Sequence, residues 1–422
     1  MRILFLHPYG WRGEYPMLLE FLRHGHEVCV LEERRTGMTG KRMLKDYLRE
    51  PGDGIRTLWY HPGKGMERAL TLPLDRWFRK TFDGRNLGHR MWVIREAVRH
   101  FAPDLVYCTD GFSYAVPAAL LKPWGLLRQP LIASYIGGDI LDCSHMGYGR
   151  KRTPQLDWLM RTSIRHIDAL RALCDSLARA LLKDGADAAR ITQIPIQIGS
   201  PRELYEEVYA QRAQARAEVR ERLGIPQDAP TVVTLSDNYF SKGVQDFARA
   251  WPGVLSSHPD AWWILAGPEA PWLSEGILPL LDASVGRARV RLTGRLAGRE
   301  LFAQLAAADL NVNPTLCEGL NMVTVDAATV GTPTVCSDAA GISDWVRRHD
   351  CGLVYAAGDV PALERAVIEA LTQGERLSGW RLRCRGMIAD FSAESVFRRL
   401  ADLFARTLHS ARLPEGKAGN GK

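Results

Sequence analysis

Short apolar runs recur along the chain, at 3–6, 27–31, 104–108, 131–136, 231–236, 262–267, 290–294, 309–313, 334–336 and 351–355. Most are apolar on both faces, as in parallel strands covered by helices on each side. Between them lie stretches with apolar residues every three or four positions, at 15–24, 89–101, 114–121, 247–255, 300–308, 361–371 and 391–408. That rhythm predicts helices. Strand and helix alternate, so the fold class is α/β with parallel sheets. A further short strand is expected at 172–176, with Ser176 capping a helix over 177–184. Residues 191–201, with Pro195 and Pro201, read as a linker between domains, and the charged stretch 202–222 leads into the second domain. Residues 32–90 are basic, hold several Pro and Gly, and read as short helices and loops.

One stretch stands apart. The strand at 309–313 stops at Pro314, and Glu318-Gly319 falls where the next helix is expected to begin. Carboxylates are favoured at that end, and its free N–H groups form a ready anion site. The helix is expected to run to Val330 and close at Gly331. Glu318 and Asp326 would then lie about two turns apart on one face.

The chain of 422 residues suggests two or three domains, and 46% hydrophobic with 24% charged residues is ordinary for a globular protein. No apolar run reaches the roughly 18 residues of a membrane span, and the first apolar stretch is too short for a signal peptide. The eight Cys are scattered with no Cys-x-x-Cys pair. Neither zinc nor a disulfide framework is expected, which favours a reducing, cytoplasmic setting. A net charge of +7 gathers in the first hundred residues, at Arg34, Arg35, Lys41, Arg42, Lys45, Arg49, Arg76, Arg79, Lys80, Arg85 and Arg90. No nucleic-acid-binding signature accompanies it, so no nucleic-acid partner is expected. Residues 70–80 mix Trp77 and Phe78 with cations. They suit peripheral contact with an anionic membrane, at its inner face; a solvated charged face over a small satellite core fits them more simply.

The pattern Glu318-Gly319, six residues, Asp326-Ala327, three residues, Gly331-x-Pro333-x-Val335 is similar to the signature of family 4 glycosyltransferases of the GT-B fold. The resemblance implies two Rossmann-like domains with parallel sheets facing across a cleft and a C-terminal helix crossing back to the first. The expected bounds are 1–198, 199–390, 391–410 for the helix and 411–422 for a disordered tail. It also implies roles. Glu318 would face the donor sugar and Asp326, a Glu in the family, the ribose. Gly319, Leu320, Asn321 and Met322 would line the diphosphate, with Gly10 and Gly13 in the first loop closing over the donor. Lys242-Gly243 stands where the family has the Lys-Gly of Gly-Arg, four residues, Lys-Gly, but the Arg position is Asp237. Either Asp237 turns away, or another Arg substitutes, or the site no longer performs standard transfer; Arg295, in the region the family places beside the base, is the candidate substitute. Asp139, at the end of the strand 131–136, is either a group near the reacting sugar or a cap of the next helix.

The activity implied is transfer of a sugar from a UDP- or GDP-linked donor to a glycan, lipid-linked or small-molecule acceptor. The family's habit is retention, and neither metal nor cofactor is expected: the chain lacks the Asp-x-Asp with which other transferases hold a divalent cation. The missing Gly-x-Gly-x-x-Gly argues against a dinucleotide oxidoreductase. The departures at Asp237 and Asp326 keep a second reading open, a catalytically inactive nucleotide-sugar-binding partner.

Overall fold

The computed structural model describes residues 1–7, 15–33, 54–60, 66–82, 86–149, 153–237, 239–283 and 286–412. Gly10 and Gly13 and the tail beyond Arg412 lie outside these. The chain divides into two units: Met1–Leu141, Arg150–Gly199 and Ala393–Lys422 form the first, Asp142–Gly149 and Ser200–Ser392 the second.

Along the chain the strands are β1 (Arg2–His7), β2 (Glu27–Glu33), β3 (Arg56–Tyr60), β4 (Leu105–Cys108) and β5 (Leu131–Tyr135). A hairpin follows, β6 (Asp142–Cys143) and β7 (Tyr148–Gly149), then β8 (Ala169–Ala172) and β9 (Ile191–Gln193). The second half supplies β10 (Thr231–Leu235), β11 (Trp262–Ala266), β12 (Val290–Leu292), β13 (Leu310–Asn313), β14 (Thr334–Ser337) and β15 (Gly352–Tyr355).

The first unit holds a seven-stranded sheet in the order β3-β2-β1-β4-β5-β8-β9, all parallel. Its core joins Ile3, Phe5, Phe21, Val28 and Tyr107 to Val396, Phe397, Leu400 and Phe404 of the last helix, Ala393–Arg412. Phe21 stacks on Phe404 at 5.2 Å and meets Phe397 edge-on at 4.9 Å. The C-terminal helix is therefore part of the first unit, and it runs to Arg412, two residues into the expected tail.

The second unit holds a six-stranded parallel sheet in the order β12-β11-β10-β13-β14-β15. Strand order reverses between β10 and β13, and ligands in such sheets bind beyond the strands' carboxyl ends at that point. Trp251, Trp263, Phe247 and Trp380 fill its core.

Three sequence expectations need correction. The strand expected at 172–176 lies at Ala169–Ala172, and Cys174 takes the N-cap position of the helix Asp175–Lys183. Arg171 disguised it. This Arg is buried, and its guanidinium donates to the carbonyls of Ile194 and Pro195 and to the Tyr107 hydroxyl, so a charge occupies a core position. The expected linker begins with a strand, β9, and the Arg171 bonds hold the two residues that follow it. Within 32–90 the structure has β3 and a helix of 17 residues, Met66–Phe82.

Candidate functional site

The helix after β13 starts later than its sequence suggests. It spans Met322–Thr329, with Asn321 as its cap at φ 73°. The Asn321 side-chain oxygen accepts from the Thr324 amide and hydroxyl, each at 3.0 Å. A short polar residue tolerates this left-handed backbone and satisfies a free helix donor. Glu318, Gly319 and Leu320 therefore lie in the preceding loop, and only Asp326 of the acidic pair is on the helix.

Gly243 explains how Lys242 reaches that loop. It has φ +67°, and a Cβ there would lie 1.8 Å from the Pro314 carbonyl oxygen, so only glycine fits. Next to it, the Ser241 carbonyl accepts from Leu316 N at 2.8 Å and from the Thr315 hydroxyl at 3.0 Å. The turn before the helix Val244–Ser257 is thus stapled to the loop that follows β13. Lys242 Nζ then donates to Glu318 Oε1 at 2.5 Å, and Asn321 Nδ2 donates to Glu318 Oε2 at 2.7 Å. Both charged side chains are largely buried. Isolated buried pairs contribute little to stability, so this one fixes geometry more than it adds stability.

Beside it lies a cavity of about 170 Å³ at the carboxyl ends of the strands. Ser236 and Asp237 enter it after β10, Gly267 and Pro268 after β11, Arg295 and Leu296 after β12, and Pro314 after β13; Lys242, Asn321 and Val323 complete the wall. Lys242 and Arg295 face one opposing charge in this lining, the exposed Asp237. Arg295 is exposed and, among the described residues, has no carboxylate partner. Asp326 is half-buried, and no donor among the described residues reaches its carboxylate. Burial pushes its pKa up to about 7. A half-buried carboxylate without a protein donor keeps its acceptor capacity for water or a ligand.

The second unit thus brings Lys242, Asn321 and Arg295 to one cavity wall, with Glu318 bonded to Lys242 and Asn321 and with Gly319, Leu320 and Met322 beside them in the chain; Asp326 lies further along the helix, outside the cavity's lining. Asp139 belongs to the first unit. It is buried, and its oxygens accept from the amides of Gly111 at 2.7 Å, Gly137 at 2.8 Å and Ile136 at 3.0 Å. Burial, aided by Asp110, raises its pKa to about 6 against the pull of these amides. The geometry is that of a carboxylate holding a turn.

Sequence reasoning missed the β6–β7 hairpin. Cys143 is disulfide-bonded to Cys317, the residue before Glu318, and the Gly319 amide donates to the Tyr148 hydroxyl at 3.2 Å. The expectation of no disulfide is overturned, and with it the argument from cysteines for a reducing compartment. The only signal was Cys317 itself, next to Glu318. Among the described residues, no group of three or more His, Cys, Asp or Glu is placed to hold a metal ion, and no helix is long and apolar enough to cross a membrane.

Comparison with known proteins agrees with this architecture. Residues 17–197 match the family described as glycosyl transferase 4-like domain, and residues 229–373 match glycosyl transferases group 1. The chain is 27% identical over 343 residues to 2-deoxystreptamine N-acetyl-D-glucosaminyltransferase of Streptomyces fradiae, covering 76% of this chain and 74% of that one. It is 28% identical over 306 residues to a GDP-mannose-dependent alpha-(1-6)-phosphatidylinositol monomannoside mannosyltransferase of Mycolicibacterium smegmatis, covering 66% and 74%. Anabaena HepE, solved in complex with UDP and glucose, superposes with a TM-score of 0.69 at 18% identity over 96% of this chain and 100% of that one, and shows the fold. With both of its halves matched in this way, the chain belongs to the GT4-type glycosyltransferases.

Proposed function

We propose that the chain transfers a sugar from a nucleoside diphosphate sugar to an acceptor hydroxyl, with retention and without a metal. The observation that carries this reading is the cavity at the carboxyl ends of β10 to β13, walled by Lys242 and Arg295 and bordered by the start of the helix Met322–Thr329. A leaving diphosphate needs positive charge and backbone donors where its own charge grows. Lys242 would meet the diphosphate, and the amides of Gly319, Leu320, Asn321 and Met322 would line it. Glu318 would hold Lys242 in place and face the sugar hydroxyls. Asp326, which has no donor among the described residues, would receive the ribose hydroxyls, and Arg295 would supply the charge that Asp237 does not. In the transfer, the bond from the anomeric carbon to the diphosphate oxygen breaks. The acceptor oxygen bonds on the same face, and its proton passes to the departing phosphate oxygen.

The donor is UDP- or GDP-linked: the Anabaena neighbour was solved with UDP, and the mycolicibacterial relative is named for GDP-mannose. The acceptor is a glycan, a lipid-linked sugar or a small molecule. A lipid-linked acceptor agrees with the helix Met66–Phe82, where Leu70 and Trp77 are 65% and 52% exposed beside the exposed Arg76, Arg79 and Lys80. Apolar anchors among cations suit peripheral contact with an anionic bilayer at its cytoplasmic face. Sedimentation with anionic but not neutral vesicles, lost in Trp77→Ala, checks this.

The test of the main reading is melting temperature against UDP, GDP, ADP, CMP and NAD, with and without EDTA, followed by product analysis with the matching donor sugars. Ligands that bind the folded state raise the melting point by mass action. A rise with one diphosphate, unmoved by EDTA, with transfer or slow donor hydrolysis, is expected. Binding with neither reaction would identify a non-catalytic nucleotide-sugar binder, the second reading favoured by Asp237 in the cavity wall.

A further inference from the structure

The hairpin β6–β7 belongs to the second unit, although the residues on either side of it belong to the first. Two bonds fix it to the donor loop. Cys143 is joined to Cys317, the neighbour of Glu318 on one side, and the Tyr148 hydroxyl takes the N–H of Gly319, the neighbour on the other. The hairpin's strands have two residues each, paired Asp142 with Gly149 and Cys143 with Tyr148. Asp142, His145, Gly147 and Gly149 are exposed. An isolated hairpin of this size is marginal in water, and segments with so little burial open at small cost.

Gly319 is the first of the amides assigned above to the diphosphate. Resting on that reading, we propose that Cys143–Cys317 is a thiol–disulfide latch on the donor site. When oxidised, it keeps the hairpin on the loop, with the Tyr148 hydroxyl on the Gly319 amide, and weakens donor binding. When reduced, it lets the hairpin lift and frees that amide for a phosphate oxygen. The competition follows from hydrogen-bond strength. An anionic oxygen is a stronger acceptor than a phenol, so a free Tyr148 yields to diphosphate. The covalent tether raises the effective concentration of the Tyr148 hydroxyl beside the amide, which tilts the balance towards the hydroxyl.

The chemistry is exchange with a low-molecular-weight thiol and its disulfide. Cys143 is half-buried and Cys317 buried, so the external thiolate attacks the Cys143 sulfur. Cys317 leaves as a thiolate and takes a proton. A second external thiolate then attacks the sulfur of the first, forming the small disulfide and releasing Cys143 as a thiolate, which takes a proton. The protein disulfide and two thiols become two protein thiols and one small disulfide; excess small disulfide runs the sequence backwards. The six other cysteines are buried and stand apart from this exchange.

The test uses the full chain as wild type, Cys143→Ser and Tyr148→Phe, each equilibrated with oxidised glutathione or with dithiothreitol. Peptide mapping under non-reducing conditions reports the thiol state, and calorimetry reports the affinity for UDP and GDP. Hydrogen exchange over 142–149 and 317–322 is followed without nucleotide. The oxidised wild type should bind the diphosphate about tenfold more weakly than the reduced form, the scale of one charge-assisted hydrogen bond. Cys143→Ser should ignore redox state and bind like the reduced form. Tyr148→Phe should recover part of the affinity when oxidised, and both segments should exchange more slowly in the oxidised wild type. Free thiols under oxidant, or equal affinity and exchange in both states, would overturn the latch. If no nucleotide binds in either state, the functional reading fails instead, and exchange alone decides the latch: slower in the oxidised form upholds it, equal rates overturn it.

Discussion

The two ends of the second sheet use charge in opposite ways. At the amino end of β13, Asp309 accepts from the amide of Thr231 and pairs with Arg216, Arg220 and Arg381 at 2.9–3.1 Å. Burial works to raise its pKa, but Arg216 and Arg220 outweigh that and hold it below the usual carboxylate range. Arg220, fully buried, also donates to the carbonyls of Ala307, Pro226, Gln227 and Ala229. At the carboxyl end and on the helix that follows it, Arg295 has no carboxylate and Asp326 no donor among the described residues. One end is complete within the protein. The other pairs Lys242 with Glu318 but leaves a second cation and a carboxylate open to a ligand, and such incomplete electrostatics mark functional sites.

The contrast can be broken at its strong end first. Asp309→Ala leaves the buried Arg220 without its anion and should lower unfolding free energy by about 3–5 kcal/mol in urea titrations. A loss below about 1 kcal/mol would make the two ends equivalent. Lys242→Ala should do the reverse: a fall in transfer of about 100- to 1000-fold, the effect of one transition-state donor, with a melting point close to wild type. A melting point that drops as far as that of Asp309→Ala would make Lys242 structural.

Asp326 adds a pH signature. Its folded pKa is raised, so the folded chain holds the proton more tightly than the unfolded one. That contribution is full below about pH 4, and stability falls as pH rises towards about 7. Asp326→Asn should flatten the loss of stability between pH 5 and pH 8. It should also remove a rise in nucleotide affinity over pH 6 to 8, about tenfold in the wild type. An unchanged pH profile would detach Asp326 from the site. The smallest effect is expected for Asp237→Arg. At an exposed wall it should tighten UDP or GDP binding about two- to fivefold, less at high salt. Unchanged affinity would mean that Asp237 faces away from the diphosphate.

The strands of the second unit were legible because each is a short apolar run between turn residues, and most observed bounds fall within two residues of those expected. The motif was legible too, because Glu318, Gly319, Asp326 and Gly331 are close in sequence. What pattern could not show depends on distant contacts. Arg171 reads as polar until its three acceptors are seen. The charged run 202–222 is two helices, Arg202–Ala210 and Arg212–Leu223. Its arginines at 212, 216 and 220 share a face and bond to the second unit: Arg212 to the carbonyls of Val330 and Ala308, Arg216 and Arg220 to that of Ala307. Helix amphipathicity here is written in guanidinium groups. The helix start at Met322 depends on a left-handed Asn321, which sequence alone leaves open. The hairpin and its disulfide join positions 174 residues apart, and no local pattern predicts that.

The last helix has a consequence for biogenesis. Phe397, Leu400, Leu403 and Phe404 belong to the core of the unit that begins at Met1. During synthesis the bulk of that unit precedes the second, yet it lacks a wall of its core until residues 393–412, which follow the whole second unit, have been made. The second unit has all its strands by Tyr355 and its last two α-helices by Met387. The half translated first is therefore the half that closes last, and truncation before Ala393 would expose Phe5, Phe21 and Tyr107 to water while leaving the second unit whole.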